Sequence, residues 1–204
     1  MPKLLFYKGY TQYHNIGDQL INRSLLDYFR QHCRVIVSDG PMPAYYAAEL
    51  ALTVAERSSA HAGGFHMQLL WAALRNSCSR DGKLYFLASP PGDQTTFSFI
   101  TGCKYMATGI FYMLLRLLGV EVIKIGFSIG PLGRMASLGE RFRALFVKHY
   151  YVRDSISLAF AHGIPVAQAK FFPDLCWSYI VKSDVPAAID SVGRPKIILS
   201  FREG

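Results

Sequence analysis

Apolar positions along the chain alternate between short continuous runs and a spacing of three and four. KLLFY (3–7) is a short apolar run and predicts a strand. Ile16, Leu20, Ile21, Leu25, Leu26 and Phe29 then fall on one face of a helix over 16–32. RVIVS (34–38) is a β-branched run closed by the turn signal Asp39-Gly40-Pro41. Helical patterns follow at 44–57 and 65–76, and KLYFLAS (83–89) predicts another strand. PPGDQTTFS (90–98) reads as a loop, 99–118 as a long helix and VEVIKIGFS (120–128) as a strand. IGPLGRM (129–135) reads as a glycine-proline turn and 138–149 as a helix. YYVRD (150–154) reads as a strand end, SISLAFAHG (155–163) as a short helix with Gly163 as its C-cap, and AKFFPD (169–174) as a last short strand.

Strands alternating with helices of this length predict an α/β chain with a Rossmann-like parallel sheet and helices on both faces. Ligands of such sheets bind at the carboxyl ends of the strands. Loops 8–18, 126–134, 153–157 and 173–178 follow predicted strand ends, and the glycine-rich loop 61–66 joins them. From about Val181 the chain turns linker-like, rich in Pro, Gly, Ser and Asp. This sets residues 1–180 apart as one domain and 181–195 as a linker. KIILSFREG (196–204) is then a strand that either joins the sheet or opens a second domain.

Composition narrows the class. With 51% hydrophobic and 18% charged residues, the chain can bury a core and is not of the disordered type. The formal charge of +8 is scattered rather than gathered in a tail, which favours anionic partners in general: phosphates, acidic glycans, anionic lipid or nucleic acid. Zinc-finger spacing, basic heptads and an RNP pattern are absent from the sequence, which disfavours nucleic acid. The four cysteines form no C-x-x-C pair and read as thiols of a reducing compartment. The longest apolar stretch (106–126) is interrupted by Arg116, Glu121 and Lys124, so it reads as a helix followed by a strand rather than a membrane span. A cytoplasmic location is the default expectation, with peripheral contact at a membrane left open.

Candidate chemistry lies in five places. Asn15 is a good N-cap; Gly17 lets a ligand approach the backbone, and Asp18 can accept from a sugar hydroxyl or act as a base. Capping alone explains the same residues. Gly63 and Gly64 form a turn that removes side chains near a ligand, or simply a flexible turn. His61 and His66 flank that turn with no third ligand in view, so no metal is expected. Gly130 and Pro131 force a sharp exit from the preceding strand. Arg153 falls at a strand end where it can pair with a carboxylate or phosphate, and Asp154 can cap the next helix. Asp174 sits at another strand end. Cys176, with His149 or His162, has no orienting spacing for a nucleophile.

The ordered set of these motifs resembles the polysaccharide pyruvyl transferase family: Asn15 to Asp18, Gly63-Gly64, Ile129 to Leu132, Val152-Arg153-Asp154 with Ser157 and Gly163, then Pro173-Asp174. The resemblance spans about residues 3–204. It implies the first half of a GT-B-like architecture of two Rossmann-like domains. It also implies transfer of a pyruvyl unit from phosphoenolpyruvate to a sugar of an exopolysaccharide or cell-wall glycan, free or lipid-linked, with no metal or organic cofactor. Arg153 would bind the donor's anionic groups; Asp18 and Asn15 would contact the acceptor, with Asp18 as candidate base; Gly63, Gly64, Gly130 and Pro131 would shape the crevice. The family's second domain brings a histidine acid and a further arginine, and the chain ends at Gly204 before either. Alone it is therefore expected to be inactive or weakly active. A GT-B-like glycosyltransferase using a nucleotide sugar, and a non-catalytic domain that binds a glycan or a partner, are the alternatives.

Overall fold

The structure, a computed structural model, describes residues 3–79, 82–88 and 92–173. The expected linker at 181–195 and the strand at 196–204 lie outside these residues. The elements run β1 (Lys3–Tyr7), α1 (Ile16–Arg30), β2 (Arg34–Val37), α2 (Ala44–Glu49), two 3₁₀ turns (Val54–Glu56 and Ser58–Ala60), α3 (Phe65–Ser79), β3 (Lys83–Leu87), β4 (Gly92–Thr96), α4 (Phe99–Leu117), β5 (Glu121–Leu132), α5 (Arg134–Ala144), β6 (Val147–Val152), α6 (Ser155–Gly163) and β7 (Ala169–Phe171). All pairings among the seven strands are parallel, in the order β2-β1-β3-β5-β6-β7, with β4 also on β5. The chain is a Rossmann-like α/β fold.

Strands buried on both faces read as continuous apolar runs, as Leu5-Phe6-Tyr7 and Val35-Ile36-Val37 do. Alternation along the strand sends Leu5 and Tyr7 to one face, where Ile21, Leu25 and Leu26 of α1 and Tyr46 of α2 cover them. Phe6 goes to the other face, which holds Phe65 and Leu69 of α3, Tyr112 and Leu115 of α4, Ala144 of α5 and Ala161 of α6. Every crossover after β3 runs the same way along the sheet, and right-handed connections keep such helices on one side.

Five assignments differ from the sequence reading. The helix expected over 44–57 stops at Glu49: Ala51 has a φ of +48°, and the Arg30 guanidinium donates to the Leu50 and Ala51 carbonyls at 3.2 and 3.0 Å. Residues 92–96, read as loop, form β4. The glycine-proline turn expected at 129–135 is instead the far end of β5, because a strand edge accepts Pro131 and a bulge opposite β4 absorbs the extra residue. The helix expected at 138–149 runs over α5, and VKHYYV becomes β6, as its β-branched and aromatic residues favour. Gly163 is the last residue of α6 rather than its cap, which is Ile164.

The interior between β5, α5 and β6 holds charge. Glu140, fully buried, accepts from Lys124 at 2.8 Å and Tyr150 Oη at 2.7 Å, and pairs with Arg143. Arg143 also donates to Gln94 of β4 at 2.7 Å and stacks on Tyr105. Burial raises the Glu140 carboxyl, but Lys124 and Arg143 outweigh it and hold it down at about 2. Burial and then Arg143 push the Lys124 ammonium down.

Candidate functional site

The strand order reverses between β1 and β3, since β2 lies to one side of β1 and all later strands to the other. Crevices of parallel sheets form at such a switch point, beyond the carboxyl ends. Residues 8–18 start there. Asn15 caps α1, its Oδ1 accepting from Gly17 N at 3.0 Å, and Gly17 is exposed. Asp18, three residues into the helix, is 7% exposed and accepts from Thr11 Oγ1 at 2.6 Å. The Asn15 cap and a nearly buried Asp18 carboxylate thus share one turn.

A cluster of tyrosines surrounds Asp18. Tyr7 is fully buried; burial, then Tyr46 and Asp18, raise its phenol well above the usual range. Tyr46 Oη accepts from Asn22 Nδ2 at 2.8 Å, and burial pushes its phenol to about 12. Tyr13 packs edge-on against Tyr46 at 5.0 Å and against Tyr10 at 5.9 Å. Tyr45 bonds His14 Nδ1 at 3.2 Å. Tyr7 Oη, Tyr13 Oη and Asn22 Oδ1 are buried with no hydrogen-bond partner. An unmet polar atom costs about 1–3 kcal/mol, and three of them lie in this one cluster. Exposed Tyr10 and Tyr45 add rings at the rim. None of the tyrosines was singled out from the sequence, although the spacing of Tyr7, Tyr10 and Tyr13 in YKGYTQY is a visible signal.

Lys8, next to Tyr7, serves the opposite face. It lines a recess of about 280 Å³ with His66, Phe86, Ala88, Ala107, Thr108, Phe111 and Tyr112. Burial, then Lys8, lower the His66 imidazole, so it is a neutral donor-acceptor at pH 7. Gly63 and Gly64 sit in the turn before α3. Gly63 has a φ of +81°, which excludes most other residues, and its carbonyl accepts from Gln68 at 2.7 Å. Gly64 has open space where a Cβ would be. His61 bonds the Ala55 carbonyl at 3.1 Å. Among the described residues no group of three or more His, Cys, Asp and Glu could hold a metal ion.

Arg153 and Asp154 form a separate cluster at the end of β6. Arg153 Nε donates to Ser128 Oγ and Nη2 to Asp93 Oδ1, both at 2.7 Å. Asp154 accepts from Ser128 Oγ at 2.6 Å and from Ser157 N at 2.6 Å, which caps α6. Burial raises its carboxyl, but the hydrogen bonds from Ser128 and Ser157 and the nearby Arg153 together outweigh that and hold it low. Ser157 Oγ in turn accepts from Ile129 N at 2.9 Å. Gly130 lies in β5 beside β4, where a Cβ would come within 2.5 Å of Thr95 Oγ1; Pro131 is exposed on the same strand. Three strand spacings, roughly 14 Å, separate the ends of β1 and β6, so the Asp18 and Arg153 clusters are separate. Asp174 lies outside the described residues. No protein-family model, no curated protein and no solved structure matches the chain.

Proposed function

We propose that this chain is the acceptor-side domain of a polysaccharide pyruvyl transferase, which places a pyruvyl ketal from phosphoenolpyruvate on a glycan sugar. The observation that carries the reading is the Asp18–tyrosine cluster at the switch point. A sugar offers hydroxyls at its rim and apolar C–H faces, and this cluster offers the Asp18 carboxylate and the exposed rings of Tyr10 and Tyr45. The motif resemblance supplies the donor.

In the reaction an acid protonates the methylene carbon of phosphoenolpyruvate. One sugar hydroxyl adds to the adjacent carbon, and a second displaces phosphate to close the ketal. Two sugar protons are released: one balances the proton given to carbon, and the other leaves with phosphate. Asp18 accepts a sugar proton. Arg153, braced by Asp93 and Ser128, faces the donor's anionic groups and exchanges its contact with Asp93 for them. The acid is assigned to the family's second domain.

The test is phosphate release from phosphoenolpyruvate by the full-length protein with a lipid-linked oligosaccharide, with the ketal confirmed by mass. Asp18→Asn is expected to lower the rate by about a hundredfold. Nucleotide release from a nucleotide sugar, with no phosphate from phosphoenolpyruvate, would replace this reading with a glycosyltransferase.

A further inference from the structure

On the side of α4 that faces away from the sheet, Ile100, Cys103, Ala107, Ile110, Leu114 and Leu117 are all exposed. Their spacing alternates three and four, the seam of a helix built to pair with another helix. Ile100, Ile110, Leu114 and Leu117 are 67, 51, 47 and 75% exposed. The neighbouring α3 repeats the pattern with Met67, Trp71, Leu74 and Cys78, again all exposed. His66 and Phe111 touch between the two helices. Summed over both helices, these exposed side chains amount to on the order of 800 Å², about the area one partner contributes to a stable interface.

The α4 seam is also palindromic. Reversed end to end, it sets Ile100 opposite Leu117, Cys103 opposite Leu114 and Ala107 opposite Ile110. The two small residues each meet a large one, as interdigitating layers require. A parallel pairing would instead set Ala107 on Ala107 and Cys103 on Cys103, leaving voids, and would oppose Lys104 to Lys104. In the reversed pairing Lys104 lies opposite position 113, a methionine. A fluid lipid surface has no use for this layer-by-layer match of sizes.

We propose that two copies of this chain pair through α4, antiparallel, about a two-fold axis that passes between the Ala107–Ile110 layers, with α3 flanking the contact. The interface is isologous, as a closed dimer demands. It lies on the outer side of the helical layer, with Ala107 also at the edge of the Lys8 recess.

Sedimentation equilibrium of the full chain is expected to give a dimer. Leu114→Glu and Ile110→Glu, exposed in the monomer, are expected to keep the circular dichroism spectrum and weaken association by at least about a hundredfold. Register is read by cross-linking with diamide. Leu114→Cys is expected to form a covalent dimer through Cys103 of the opposing copy, and the parent chain is not expected to cross-link through Cys103. A monomer at all concentrations overturns the proposal. So do self-cross-linking of Cys103 in the parent chain, and a monomer that binds vesicles of anionic phospholipid through Ile110 and Leu114.

Discussion

Glu140 carries two cations in a place without water. Removing its charge leaves Lys124 and Arg143 buried and repelling each other. Glu140→Gln is therefore expected to cost about 3–5 kcal/mol of stability in urea unfolding, the cost of breaking a buried pair from one side. The pH dependence has a definite sign. The Glu140 carboxyl titrates near 2 in the fold and near 4.3 unfolded, so its contribution is complete above that unfolded value. It is expected to fade as pH falls through the interval toward 2, and Glu140→Gln to lack that share of the acid limb. Little of this network was legible locally: Glu140 and Arg143 are an i,i+3 pair on α5, but Lys124 and Tyr150 come from β5 and β6, and only packing brings them in. Asp18 was legible because capping chemistry is local. The partners that make its surroundings polar, Tyr46 and Asn22, come from another helix and a later turn.

Helix α4 meets α5 through glycines. A Cβ on Gly102 would stand 2.6 Å from the Met135 carbonyl carbon, and one on Gly139 would stand 2.7 Å from Gly102 O. Backbone cannot yield there as a side chain can. Gly102→Ala is expected to lose more in overpacking, about 1–3 kcal/mol, than the roughly 1 kcal/mol that alanine gains in a helix, so the melting temperature falls. Gly163, helical and with nothing near its missing Cβ, is expected to respond with the opposite sign, Gly163→Ala raising the midpoint by a few tenths to 1 kcal/mol. Most elements were readable from periodicity because each buries one apolar face. β4 was not: GDQTT has no apolar alternation and pairs only with the outer end of β5. Gly130-Pro131 imitates a turn because the same residues that break a strand inside a sheet are tolerated at its edge. The close α4–α5 contact, written as Gly102, Gly109 and Gly139, looked like ordinary composition until the partner helix was in place.

At the scale of the whole molecule the surfaces divide by chemistry. The crevice side carries Asp18, Lys8 and Arg153, and its ligands should respond to salt. The seam of α3 and α4 is apolar, so dimerisation is expected to be indifferent to rising salt or to tighten slightly. A dimer that dissociates on adding salt would mean that charge, not this seam, holds the copies together.

The sheet also has a narrow waist. β3 meets β5 through three rungs only, Tyr85–Glu121, Phe86–Val122 and Leu87–Ile123, and this short ladder is the sheet's own link between the strands before it and those after. A side-chain contact adds to that ladder, since Tyr112 of α4 rests against Phe86 of β3. In native-state hydrogen exchange the waist is expected to open below the free energy of global unfolding, while β1–β2 and β5–β6 remain closed as separate cooperative units. Because α4 would also be the element that two copies share, assembly should slow exchange at the waist first. Quaternary contact would then act as a clasp on the interior of each subunit.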